Sequence, residues 1–323
     1  MGCEPVSNGA STQGMACVAD EPPAKWRASF RIGEVSLGLN ADQTFARVLS
    51  PQIEPFHFAA AACDLEIDLQ WADNLRESTG RLLFDSGSVW KLYEAGDGFQ
   101  FDFSSPVLGP EPYKRLLVDR GFRKGRILSN RGCFPDASRC NPLEYPLDEL
   151  MVIHRLGRER GVEVHAAGMR DAEGNAYLFL GHSGAGKSTT TRLWNQQHSM
   201  TILSDDRIIL RERAGSGGQR EVWMYGTPWH GEAAFAAPEK ARIERLFILE
   251  HAPESAPENK ITQLHGASAV AEIMARSFLP FYDGPALENT MSFLQEIVAA
   301  IPCYRLQFRP DGSAVEAVRR FRP

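Results

Sequence analysis

The stretch Gly181-His182-Ser183-Gly184-Ala185-Gly186-Lys187-Ser188 carries the spacing G-x-x-x-x-G-K-[ST]. A strand-to-helix turn with this spacing can aim several backbone N–H groups inward at a phosphate. Glycines there let the main chain come close without a Cβ in the way. The helix that follows adds the partial positive charge of its N-terminus. In such a turn Lys187 reaches the β- and γ-phosphates, Ser188 offers its hydroxyl to Mg²⁺, and Thr189 leads into the helix. A chain this long matches the pattern by chance at about the one-in-a-hundred level, which makes the loop the strongest chemical signal in the sequence. It predicts binding of ATP with magnesium.

A second feature lies one predicted helix further on. Thr201-Ile202-Leu203 reads as a buried strand, and Ser204-Asp205-Asp206 follows it. Two adjacent carboxylates at the end of an apolar strand are costly to bury unless a cation meets them. A magnesium ion on the loop's phosphates would meet them. One acid is enough to hold the metal, and a kinase gains from a second that accepts the proton of the incoming hydroxyl. Neighbouring strand residues face opposite sides, so the two acids need not share one task. An exposed acidic turn running into Arg207 is the plainer alternative.

These residues need elements to hold them. Tyr177-Leu178-Phe179-Leu180 is a short apolar strand running straight into the loop, and Thr189 to Gln197 should be the helix after it. Upstream, Pro146-Leu147-Asp148 opens a predicted helix through Arg158, with Gly161 as its stop. Val162 to Met169 reads as a strand, then Asp171 to Asn175 as a hairpin turn. Further helices are expected near Ala267 to Ser277, Ala286 to Ala300 and from Ser313, with a strand over Cys303 to Phe308. The region before Pro142 has a different texture. Cys63 to Leu69 alternates apolar and polar residues, and Arg81 to Phe84, Val89 to Tyr93 and Phe99 to Phe103 are short β-type runs. Asp85 to Ser88 and Ala95 to Gly98 supply turn chemistry between them, which is the pattern of a meander. Ser129 to Pro142 reads as a long loop at a domain seam.

The combination resembles the catalytic domain of HPr kinase/phosphorylase. It is similar, more distantly, to the nucleotide-binding core of ATP-dependent phosphoenolpyruvate carboxykinases. Val164-His165, the loop from Gly181 to Ser188, and Leu203-Ser204-Asp205-Asp206-Arg207 carry the resemblance, which covers about residues 161–210. A segment like Tyr225-Gly226-Thr227-Pro228-Trp229-His230-Gly231-Glu232 and an ending like Ile301 to Leu306 bring it nearest to homologues that look like peptide-modifying serine kinases. The resemblance implies an α/β fold. A P-loop kinase core of HPr kinase/PEP carboxykinase type would span 144–323, behind a strand-rich N-terminal α+β domain over 26–143 for acceptor recognition. It implies transfer of the γ-phosphoryl group of ATP to a serine of a peptide or protein. Asp205 would be the base, His165 would orient or polarise it, Lys187 would serve the phosphates, and Asp206 would join Ser188 on Mg²⁺. The dedicated enzyme carries a Glu-x-Arg-Gly signature, and Trp223-Met224-Tyr225-Gly226 has neither the acid nor the arginine in those places. HPr itself is therefore not the expected acceptor, nor is the reverse phosphorylase reaction expected.

Composition narrows the partners. The 323 residues carry a net charge of -6, which gives no electrostatic reason to expect nucleic acid. No apolar run approaches the roughly 18 residues that cross a bilayer. Residues 1–25 read as a disordered leader and not as a secretory signal, and the location expected is cytoplasmic. The 6 cysteines include no CxxC pair, and Cys133, Cys140 and the later His154 fit no common zinc spacing, so ordinary reduced thiols are expected. Secondary candidates are His230 and Glu232 for acceptor or metal, Arg207, Arg276 and Arg305 for the phosphoryl charge, and Trp194 and Trp229 for stacking on adenine. A homo-oligomer stays open, as do two other functions: a small-molecule kinase and a nucleotide-binding regulator without transfer activity.

Overall fold

The computed structural model describes residues 25–322 apart from 198, 216–217, 254 and 256–257. The leader expected over 1–25 therefore lies outside the described residues, except that Lys25 opens the first strand. The described chain is mixed α/β, with two large sheets and five α-helices.

The first sheet is built from β1 (Lys25–Ile32), β2 (Val35–Asp42), β3 (Leu65–Ala72), β4 (Leu82–Asp85), β5 (Trp90–Ala95), β6 (Gly98–Phe103), β7 (Lys114–Asp119) and β8 (Lys124–Asn130). Their order is β1-β2-β3-β8-β7-β6-β5-β4. The expected meander is the β4–β7 half, with every neighbour antiparallel. Only short 3-10 turns interrupt the stretch between Asn130 and Cys140.

Helix α1 (Leu147–Leu156) follows, and then β9 (Gly161–Asp171) and β10 (Ala176–Leu180) form an antiparallel hairpin. Gly157, not Gly161, caps α1, and Gly161 already belongs to β9. After α2 (Lys187–Gln197) come β11 (Met200–Ser204), β12 (Arg207–Ala214), β13 (Arg220–Gly226), β14 (Lys240–Arg242), β15 (Leu246–His251) and β16 (Lys260–Leu264). The chain ends through α3 (Gly266–Met274), β17 (Ser277–Phe278), α4 (Gly284–Ala300), β18 (Cys303–Phe308) and α5 (Gly312–Arg320). The main path of the second sheet is β14-β13-β12-β9-β10-β15-β18-β16, and β10, β15 and β18 run parallel. One face is covered by Phe293, Leu294 and Ile297 of α4 with Ile273 of α3. The other packs on Trp194 of α2 and Val315 and Val318 of α5.

A third core joins the two sheets. Phe30, Leu37 and Ile67 of the first sheet pack in one cluster with Leu147 and Met151 of α1 and with Ile209, Tyr225 and Trp229. At its edge the turn at Gly33-Glu34 docks on β12, where the Arg211 guanidinium donates to the Gly33 carbonyl at 3.0 Å. Among the described residues no helix is long and apolar enough to cross a membrane.

Candidate active site

In parallel α/β sheets ligands gather beyond the carboxyl ends of the strands. The glycine loop leaves the carboxyl end of β10, beside the ends of β15 and β18. There the His251 ring bonds the Gly184 carbonyl at 3.0 Å and stacks on Phe308. Gly184 and Gly186 take positive φ, +79° and +95°. Both are conformations that side chains resist. A Cβ on Gly186 would also lie 2.5 Å from the Phe308 ring, whereas one on Gly184 would meet nothing within 4 Å. Gly186→Ala should therefore lose more than the strain alone, which is about 1–3 kcal/mol. The expected result is a lower melting temperature and weaker ATP-analogue binding than in Gly184→Ala; equal behaviour of the two would contradict this packing.

Lys187 opens α2 and is buried, its ammonium donating to the carbonyls of Gly181 at 3.0 Å and His182 at 3.2 Å. Burial and the nearby Arg207 lower its pKa to about 8, against the pull of Asp206. His182, Ser183 and Gly184 are exposed, Ala185, Gly186, Ser188 and Thr189 are half-buried, and Gly181 is buried. The first turn of a helix leaves its N–H groups without intrahelical partners, so Lys187, Ser188 and Thr189 present free donors to the loop.

The acid pair sits opposite. β11 and β12 both pair with β9, with Ser204 opposite Gly168 and Arg207 opposite His165. Asp205 and Asp206 occupy the break between the two strands and turn to different neighbours. Asp205 is fully buried, accepts backbone N–H bonds from Gly231 at 3.0 Å, Ala233 at 2.9 Å and Phe235 at 3.2 Å, and takes the Ser188 hydroxyl at 3.4 Å. Asp206 is half-buried. His165 Nε2 lies 2.8 Å from its carboxylate, the Lys187 ammonium lies 3.7 Å away, and Arg207 also pairs with it. Burial alone would raise the Asp206 pKa, but the His165 hydrogen bond and the Arg207 and Lys187 charges outweigh it and hold the carboxyl below its usual range. The loop lysine, the strand histidine and both acids thus meet at one place.

Arg207 is anchored from behind. Its guanidinium reaches Glu149 of α1 at 2.9 Å and Glu163 of β9 at 3.5 Å, and lies 4.4 Å over the Phe278 ring. Glu163 is buried with neither carboxyl oxygen hydrogen-bonded, and burial with the neighbouring Glu149 charge raises its pKa well above normal. Nearby, Trp229 Nε1 donates to buried Asp148 at 2.9 Å, and the tryptophan lines the same cavity as Asp206. Burial, aided by the Glu149 charge, raises the Asp148 pKa to about 7 despite that bond. A carboxyl raised in the folded state keeps its proton where the unfolded chain has lost it, so this group's contribution to stability falls as pH climbs from the ordinary aspartate range to about 7. Asp148→Asn should flatten that slope. Urea unfolding at pH 5 and pH 8 checks it, and a variant as pH-sensitive as the wild type would count against it.

Other expected residues land variously. Trp194 is core, packed on Tyr177 and Phe179. Arg276 and Arg305 both pair with Glu272, although Arg276 lies near enough to His182 to help depress its pKa, after burial. His230 bonds the Gly231 carbonyl and Glu232 is exposed. His154 is stacked in an aromatic core between Phe122 and Tyr282, and Cys63, Cys133, Cys140 and Cys303 are free thiols.

No protein-family model and no curated protein matches this chain.

The amide cage around Asp205, made by Gly231, Ala233 and Phe235, was not expected. Its signal was glycine itself: a Cβ on Gly231 would lie 2.9 Å from an Asp205 oxygen. Glu163 was also passed over, although a charged residue between Val162 and Val164 in an apolar strand is a sign of a buried ion-pair partner.

Proposed function

We propose that this chain is an ATP-dependent, magnesium-requiring kinase that transfers the γ-phosphoryl group to a hydroxyl, in the first place a serine of a peptide or protein, and that its nucleotide-binding half is a P-loop core of HPr kinase/PEP carboxykinase type. One observation supports this most: the loop lysine, Lys187, stands 3.7 Å from Asp206, whose carboxylate also bonds the strand histidine His165.

The donors present suit the groups that the reading requires. Gly184 and Gly186 open the loop, and the leading N–H groups of α2 would face a triphosphate bound there. Magnesium is commonly held by one or two carboxylates, a hydroxyl, phosphate oxygens and water, and not by an all-protein cage. The described residues contain no cluster of three or more metal-binding side chains, yet Ser188 and Asp205 form the smaller set that magnesium needs. Magnesium, when bound, would neutralise charge on the β- and γ-oxygens.

On the ground of burial we assign the two acids in the opposite sense to the resemblance, which makes Asp205 the base and puts Asp206 on the metal. Asp205, caged by three backbone donors and tied to Ser188, serves the metal side, where a fixed anion is wanted. Asp206 is open enough to meet an acceptor hydroxyl and takes its proton; Arg207 positions it, and His165 orients it and shares the gained charge. Lys187 holds the phosphates in line.

The test compares wild type with Asp206→Asn, following ATP-analogue binding and phosphoserine on co-expressed proteins by mass spectrometry. The kinase reading expects equal binding and loss of the phosphorylated products. Equal product levels in both would favour a nucleotide-sensing regulator instead.

A further inference from the structure

We propose that the acceptor enters a two-part cleft between the N-terminal half and the acid pair, and that it is a serine-bearing peptide segment, neutral or cationic around the serine, with a bulky apolar side chain beside it. This rests on the kinase reading above and adds the acceptor to it.

The first part of the cleft is a cavity of about 440 Å³ that opens on Asp206. Gln52, Asn141 and Glu144 form one wall, and Arg207, Trp229 and His230 form the other. Its charge decides the class of acceptor. Three carboxyl groups line it, those of Glu144, Asp148 and Asp206, and Arg207 is the one arginine or lysine among the described lining residues. That guanidinium is already committed to Asp206, Glu149 and Glu163. Lys114 balances Glu144 from a fully buried position and so offers nothing to a ligand. A metabolite with a phosphate or carboxylate near its hydroxyl would bring an unpaired anion against this wall, which is costly. A serine within a chain carries only neutral peptide groups.

The second part lies across Tyr145, which borders both cavities and stands 60% exposed as the ridge between them. Beyond it is a cavity of about 610 Å³ with Val89, Trp90, Phe278 and Phe281 in its walls. Phe281 is 66% exposed and Val89 38%, so the molecule presents large apolar side chains to solvent in the cavity that shares Tyr145 with the one at Asp206. Exposed apolar surface next to a polar reaction site marks a ligand groove. A chain crossing the Tyr145 ridge sets its hydroxyl towards Asp206 and its apolar neighbour in the second cavity. Continuity of the two spaces at one residue, and the absence of an uncommitted arginine or lysine among the described residues lining the first, make a peptide the occupant that fits both.

The full chain is assayed with Mg·ATP and terminally blocked peptides that share a central serine and differ in its neighbours: leucine and phenylalanine, alanine, or aspartate. Phosphopeptide is read by mass spectrometry, and binding of a non-hydrolysable ATP analogue is measured separately. The expected kcat/KM order is apolar over alanine by about tenfold or more, with the aspartate peptide lowest. Phe281→Asp should bring the apolar peptide down to the alanine level through KM, with analogue affinity unchanged. If analogue binding is intact but the three peptides react alike, the aspartate peptide is preferred, Phe281→Asp has no effect, or only small alcohols are phosphorylated, the peptide cleft is overturned while the kinase reading stands. If the wild-type chain does not bind the analogue, both fall.

Discussion

Asp206→Asn should lower kcat by roughly 10²–10⁴-fold, the range that general base catalysis supplies. The amide keeps the shape and can still accept from His165, so the pocket should survive; what is lost is the capacity to take a proton. ATP-analogue affinity is therefore expected to stay within a few-fold of wild type. The comparison that separates base from metal ligand is Asp205→Asn, which disturbs a group caged by three main-chain donors and bonded to Ser188. That variant should need more magnesium for turnover and be less stable, since one of its side-chain ends can no longer accept. Magnesium titrations of the two variants decide the matter. Should Asp205→Asn lose turnover with an unchanged magnesium requirement while Asp206→Asn raises that requirement, the roles are the reverse.

The second large effect belongs to Lys187. Lys187→Met removes the loop cation that stands 3.7 Å from Asp206 and is expected to cost roughly 2–5 kcal/mol of nucleotide binding or transition-state stabilisation, as truncation of a buried charge partner does. Its titration gives a finer test. Burial lowers the lysine pKa to about 8 in the free protein, so its positive charge is unfavourable to the fold below that pH and the penalty fades as pH rises towards the ordinary lysine range. A triphosphate beside it would restore the proton. Binding of the analogue near pH 8 should take up about half a proton, visible as a calorimetric enthalpy that changes with the ionisation heat of the buffer. In Lys187→Met that dependence should vanish. An enthalpy independent of buffer in the wild type would speak against a phosphate at this lysine.

Much of the site was legible because its parts are local. A glycine loop with lysine and serine at fixed offsets has few other uses, and Asp205-Asp206 at the end of Thr201-Ile202-Leu203 is conspicuous by the cost of burying it. The helices α1 to α5 and strands β9 to β11 could be placed from apolar spacing and capping residues, with ends off by a few positions. What escaped was non-local. The β12–β13 hairpin mixes charges and apolar residues because Arg211 and Arg213 point at Gly33 and Glu34, 178 and 179 residues away. β15 is a continuous apolar run from Leu246 to Leu249 like that of β10, but no phosphate-type loop follows it to mark the strand's end. The cage on Asp205 depends on a loop that only the folded sheet brings alongside. Which of two neighbouring acids faces which task is likewise a matter of the break between β11 and β12, and spacing carries no trace of it.

The shared core of the first sheet, α1, Ile209, Tyr225 and Trp229 bears on how such a protein can change its target. A graft that exchanged everything up to residue 143 would strip Leu147 and Met151 of their packing and leave a raw apolar flank on the C-terminal half. An exchange must instead carry α1 along and join at Gly157, and it must still repack against Ile209, Tyr225 and Trp229, which lie beyond that join in the same core. The two sheets are soldered together here, and drift in one must be answered by repacking in the other.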